Sequence, residues 1–277
     1  MKKILAPVDF SRESRNAGEY AALLAKASGG QLHLLHVYKD LMPVTVGPEP
    51  WAITASGLQS KYEVQMDNEI QFLEERYSLK VSGAVKREKK GEAIDNISKA
   101  MAADLIVMGV KSVLKSQLAG STSLKVIRNT NIPVLLVPDG VTFSPIKNIV
   151  LAVNFNEITA GPCLDPLFRI ISLFDASLRV LHVERKGANL DPAEMPGKLQ
   201  MGVDLSKVSY LYDKIECNSV DQGILQFVQS HPTDMLVMIA QQHNVFEQLF
   251  GTIHTRSVSR LIKLPLLILK SGNRLNV

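Results

Sequence analysis

The feature that most constrains this chain is that it is written twice. KILAPVDFS at 3–11 returns as NIVLAVNFN at 148–156, and LHLLHV at 32–37 returns as LRVLHV at 178–183. DLIVMG at 104–109 returns as DMLVMI at 234–239, and IPVLLV at 132–137 as LPLLIL at 264–269. The same order in both copies points to a duplicated unit. The separation falls from 145 residues at the first pair to 132 at the last, because the second copy is shorter between its second and third matched segments. The 277 residues therefore divide into 1–140 and 141–277, each long enough to close a core of its own. PDGVTFSPIK at 138–147 is the natural linker, since Pro138, Gly140 and Pro145 break both helix and strand.

Each matched segment is a short run rich in Val, Ile and Leu without polar alternation, the pattern of strands buried on both faces of a parallel sheet. Helical patterns lie between them. The first opens at Ser11, an expected N-cap with Glu13 in the first turn, keeps Ala17, Ala21, Leu24 and Ala25 on one face, and stops at Gly29-Gly30. SKYEVQMDNEIQFLEERY and EAIDNISKAMAA carry a second and a third helix, and a fourth begins near Gly120 with STSLKVIRN. Strand and helix in alternation predict two tandem α/β domains, each a parallel sheet with right-handed crossovers. Residues 40–57 form the longest irregular stretch, expected as a loop or lid over the strand ends. In the second copy the corresponding region has room for only a short helix.

Composition narrows the function classes. The net charge of +4 on 277 residues is mild, and no basic patch points to nucleic acid. No run approaches the length of a membrane span, and the lysine-led N-terminus is broken by Pro7 and Asp9 too early to serve as a signal peptide. Cys163 and Cys217 form neither a disulfide framework nor a metal-ligand spacing, which fits a reducing cytoplasm. His36 and His182 hold equivalent places on apolar strands of the two copies and read as structural, not as metal ligands. His243 and His254 lack cysteine or carboxylate company at ligand spacing. The KREKK run at 86–90 reads as a solvated strand end and turn. No G-x-S-x-G, H-E-x-x-H or complete phosphate loop of the G-x4-G-K-[ST] type occurs, so no catalytic residue is assigned. A binding protein is expected rather than an enzyme, with slow ATP hydrolysis left open.

In an open parallel sheet, ligands bind beyond the carboxyl ends of the strands, where the strand order reverses. In the first copy Pro7-Val8-Asp9, Val37 and Met108-Gly109 converge there. Gly120-Ser121-Thr122 starts the fourth helix, whose free N–H groups and positive dipole end suit an anion. KILAPVDFS, LLHV, DLIVMG and GSTSLKVIRNTNIPVLLVP together resemble the universal stress protein family, and the whole chain resembles its tandem members. The resemblance implies five parallel strands per domain in a doubly wound arrangement, similar to adenine nucleotide alpha hydrolases. It also implies, for a subset, ATP bound through a G-x2-G-x9-G-[ST] signature, with Mg²⁺ accompanying the phosphates. Carried over, Asp9 meets the base or ribose, Val37 lines the adenine slot, and Gly109 is the first glycine. Gly120 and Ser121 are then the last pair. Ser112 stands where the second glycine belongs, and seven residues instead of nine separate it from Gly120. Lys111 and Lys115 offer point charges in the same loop.

Each of these residues also has a plainer use. Asp9 could cap the first helix, Gly109 and Gly120 could serve turns and close packing, and Gly120-Ser121 could be an N-cap without a ligand. The second copy departs further: Asp9 becomes Asn154, Pro7 becomes Ala152 and Gly109 becomes Ile239. Only Gly251-Thr252 matches the final pair there, and Phe246, Leu249 and Phe250 are bulky. Its site is expected to be degenerate. Three readings follow: a stress-response module regulated by an adenine nucleotide; a nucleotide-independent scaffold presenting Phe246 and Phe250 to an unidentified protein partner; and a cleft for another small ligand. NIPVLLVP and KLPLLILK are candidate edges for homodimer pairing.

Overall fold

The computed structural model describes residues 1–39, 55–111, 122–155, 164–185, 194–240 and 263–270. The N-terminal half runs β1 (Lys3–Pro7), α1 (Arg12–Ser28), β2 (Gln31–Tyr38), α2 (Ala55–Tyr77), β3 (Val81–Arg87), α3 (Lys90–Ala100), β4 (Leu105–Val110), α4 (Thr122–Asn129) and β5 (Val134–Pro138). The C-terminal half repeats the plan with β6 (Asn148–Val153), α5 (Asp165–Phe174), β7 (Ser177–Arg185), α6 (Glu194–Asp204), β8 (Tyr210–Cys217), α7 (Val220–Ser230), β9 (Met235–Ala240) and β10 (Leu266–Lys270). As the shortened spacing predicts, α6 has 11 residues where α2 has 23.

All ten described strands join one sheet in the order β3-β2-β1-β4-β5-β10-β9-β6-β7-β8. Within each half the pairs are parallel and the order is the same. The seam between halves is antiparallel, with Leu136 opposite Leu266, Leu135 opposite Leu267 and Val134 opposite Ile268. This corrects the expectation that these two strands offer edges to another molecule. Each is already paired on both sides, because joining the copies in one chain lets their exposed backbone groups satisfy each other. The outer strands are β3 and β8.

Two cores lie on opposite faces, and both cross the seam. Ile4, Ala6, Leu32 and Leu34 face the layer of α1, and Ile149, Leu151, Leu167 and Ile170 continue it in the other half. Leu5, Leu35, Val37, Ile94 and Ile127 face the other way, joined by Val150, Leu181 and Ile224. Burial on both faces is why the strands read as unbroken apolar runs. The segment between β5 and β6 packs rather than dangling: Phe143 stands edge-on to Tyr20 at 5.1 Å and lies 6.0 Å from Phe174.

One device appears in both copies. Asp104 accepts the backbone N–H of Lys2 at 2.6 Å and of Lys3 at 3.0 Å, and Asp234 accepts those of Lys147 at 2.9 Å and Asn148 at 2.8 Å. The aspartate before the fourth strand thus ties down the start of the first, using charge-assisted hydrogen bonds. Asp104 also takes Arg169 of α5 at 2.9 Å, linking the halves.

Candidate functional site

A cleft of about 240 Å³ opens at the carboxyl ends of β1, β2 and β4, on the face covered by α3 and α4. It sits where the strand order reverses between β1 and β4, the position that the parallel topology dictates for a ligand. Seven of the ten expected residues line it: Pro7, Val8, Asp9, Val37, Met108, Gly109 and Thr122. Ser112, Gly120 and Ser121 lie outside the described residues, as do Lys115 and residues 40–54 of the expected lid. Residues 55–57 of that stretch open α2.

The turn after β1 is built by Asp9, Ser11 and Ser14. Ser11 caps α1, accepting the N–H of Ser14 at 3.3 Å. Asp9 does not cap the helix directly; its Oδ1 accepts from the Ser11 N–H at 3.1 Å and from the Ser11 hydroxyl. The Asp9 N–H in turn donates to Ser14 Oγ at 3.3 Å. Partial burial works to raise the Asp9 pKa, but the Ser11 and Ser14 hydrogen bonds and the nearby Lys90 charge outweigh it, so the carboxyl is held below its ordinary value. Phe10, between Asp9 and Ser11, has φ of +62°, a left-handed conformation that costs a non-glycine residue about 1–2 kcal/mol.

Gly109 has a structural reason to be glycine. A Cβ there would lie 2.1 Å from the Glu13 carbonyl oxygen and 2.9 Å from the Ser14 nitrogen. The first turn of α1 rests directly on β4, so the close-packing use of this glycine is the one the geometry fixes.

Leu35, Val37, Ile94 and Met108 give the cleft apolar walls suited to a flat base, while Thr122 and Ser123 bring hydroxyls. The charges are Asp9, Lys90 and Lys111. Lys111 Nζ stands 4.0 Å from Glu13 Oε1. Lys90 is the functional candidate that sequence reasoning missed, because KREKK reads as a solvated turn. A signal was available: Lys90 opens α3, and every crossover helix in a parallel α/β unit starts at the same end of the sheet as the ligand cleft.

The histidines are structural in both copies. His36 is buried, and its Nδ1 lies 2.8 Å from the Val8 carbonyl; His182 is buried with Nδ1 3.3 Å from that of Val153. A phenylalanine ring covers each, Phe10 at 4.6 Å and Phe155 at 4.9 Å. The shared pairing fixes the equivalence of Val8 with Val153, and so of Asp9 with Asn154. Among the described residues no group of three or more His, Cys, Asp or Glu could hold a metal ion, and no helix is long and apolar enough to cross a membrane.

The corresponding end of the second half carries different residues: Asn154 stands in place of Asp9. Asn154 is exposed, Ile239 packs partly buried on the face where Gly109 admits α1, and Val220 opens α7 where Lys90 opens α3. The caps differ too. Ser219 accepts from the Gln222 N–H at 3.3 Å, whereas Lys89 gives α3 no side-chain cap. Phe246, Leu249, Phe250 and Gly251-Thr252 lie outside the described residues, as do His243 and His254.

Comparison with known proteins follows the same division. Residues 1–138 match the profile of the universal stress protein family. Universal stress protein MJ0531 of Methanocaldococcus jannaschii is 28% identical over 140 residues, covering 49% of this chain and 81% of the relative. Universal stress protein G of Escherichia coli O157:H7 is 26% identical over 142 residues, with 49% and 98% covered. Over the full length, a universal stress protein from Archaeoglobus fulgidus superposes with a TM-score of 0.69 at 17% identity, covering 98% of this chain and 97% of that one. A functionally unknown protein from Pseudomonas aeruginosa PAO1 gives 0.58 at 15% identity, covering 98% and 93%. These structures share the tandem fold.

Proposed function

Because the chain belongs to the universal stress protein family, we propose that its N-terminal cleft binds ATP or another adenine nucleotide and that the protein acts as a regulatory binding module in a stress response. The observation that carries this reading is the juxtaposition, at the β1/β4 reversal, of apolar walls with an ionised Asp9 and the cations Lys90 and Lys111. The left-handed Phe10 supports it, since backbone strain concentrates at ligand-binding turns. Val37 and Ile94 would flank the base, Asp9 would accept from a ribose hydroxyl, and the lysines and Thr122 would meet phosphate oxygens. Asp9 and the hydroxyls of Ser11, Ser14, Thr122 and Ser123 are the side-chain oxygens that the described lining would offer Mg²⁺ held by those phosphates. Occupancy of the cleft by the nucleotide is the signal that a protein partner would read.

The test is direct. The purified protein is denatured and its supernatant assayed for released nucleotide, and ATP is then titrated into native wild type and Asp9→Ala. Wild-type binding that the variant loses is the expected result. No wild-type binding at millimolar ATP overturns the reading and leaves a nucleotide-independent scaffold as the function to pursue.

A further inference from the structure

Lys90 stands apart from the other lysines of α3 and its cap and from the other lysine of the cleft. Lys89 pairs with Glu92 at 3.4 Å, Lys99 with Asp95 at 2.6 Å, and Lys111 approaches Glu13 at 4.0 Å. Lys90 is exposed, lines the cleft, and makes no ion pair or side-chain hydrogen bond among the described residues. Its charge nevertheless reaches Asp9, where it helps hold the carboxyl ionised. The helix it opens is pressed against α4, with a Cβ at Gly91 only 3.4 Å from Lys125 Cβ. Lys90 therefore projects from the α3 side of a cleft whose α4 side carries Thr122 and Ser123. The other half keeps a helix of the same length at this place but starts it with Val220.

We propose that Lys90 is the specificity-determining residue of the N-terminal cleft. Its ammonium binds the phosphate groups of the ligand and selects a nucleotide over the corresponding nucleoside. This rests on the reading of the cleft as an adenine-nucleotide site and adds which residue makes the phosphates count. An ammonium at the mouth of the cleft is a flexible point charge that needs no fixed loop geometry. It supplies phosphate binding even where Ser112 and the shortened spacing to Gly120 depart from a glycine-rich loop.

The experiment is calorimetric titration of ATP, AMP and adenosine into wild type, Lys90→Ala, Lys90→Arg and Lys89→Ala, each at low and high salt. Wild type is expected to bind ATP more tightly than adenosine. Lys90→Ala is expected to weaken ATP about tenfold, equivalent to about 1.4 kcal/mol, while leaving adenosine unchanged and flattening the salt dependence of ATP binding. Lys90→Arg is expected to retain most of the ATP affinity, and Lys89→Ala to change neither ligand. Equal losses for ATP and adenosine in Lys90→Ala, or an ATP affinity untouched by it, overturn the role of Lys90 while the nucleotide reading stands. Wild type that binds neither ATP nor adenosine overturns both.

Discussion

The two halves are the same piece of fold with different residues at the same end of the sheet. Both order their strands alike, and both keep the histidine that reaches back to a carbonyl at the end of the first strand. Both copies also keep the phenylalanine ring that covers this histidine. Asp9, Lys90 and Gly109 occur in one copy only, replaced in the other by Asn154, Val220 and Ile239. What is common to the copies reports on folding, and what differs reports on the use of one cleft.

Transplanting residues between the copies breaks this comparison most sharply at position 109. Gly109→Ile, which installs the residue of the second copy, drives a side chain into the Glu13 backbone. A stability loss of about 3 kcal/mol or more is expected in urea denaturation; a near-neutral result would mean that α1 lifts off β4 at little cost.

Asp9→Asn comes next. The amide oxygen still accepts from Ser11, so the turn survives while the charge goes. ATP affinity is expected to fall about tenfold, with thermal stability nearly unchanged. If the affinity holds in a calorimetric titration, the charge of Asp9 is irrelevant and the two copies differ less than their residues suggest.

The helix caps give a smaller contrast. Ser219→Ala is expected to cost about 1 kcal/mol, because it frees the Gln222 N–H. Lys89→Ala, at a position with no side-chain cap, should cost nothing through capping, and Lys89→Ser should add stability.

A pH-dependent contrast concerns the join between the halves. Lys270, at the end of β10, donates to the Ile127 carbonyl in the last turn of α4, and burial pushes its pKa down to about 8. An unfolded lysine titrates near about 10.4. Between these values the unfolded chain holds more protons, so stability should rise with pH from about 8 to about 10.4. Lys270→Met should flatten this slope in melts run across that window.

Much of the fold was legible in the residues. The repeated apolar runs gave the strands, Ser11 and Gly29 marked the ends of α1 as the structure has them, and the shortened second copy foretold a short α6. Asp9, Val37, Met108 and Thr122 were traceable to one end of the sheet because strand direction alone places them there. Lys90 was not, since a basic run before a helix looks the same whether it faces solvent or a cleft. The bonds of Asp104 and Asp234 were also hidden, being made to residues about a hundred positions away in one case and nearly ninety in the other.

The sequence by itself determined the duplicated α/β plan, the buried parallel strands and the end of the sheet where a ligand belongs, because these follow from periodicity and chain direction. Only the tertiary structure decided that Gly109 is required by a helix resting on a strand. It also decided that Lys90 lines the cleft together with Asp9, and that β5 and β10 complete each other instead of offering edges. Such facts depend on distances between segments far apart in the chain, and local residue patterns carry no information about those distances.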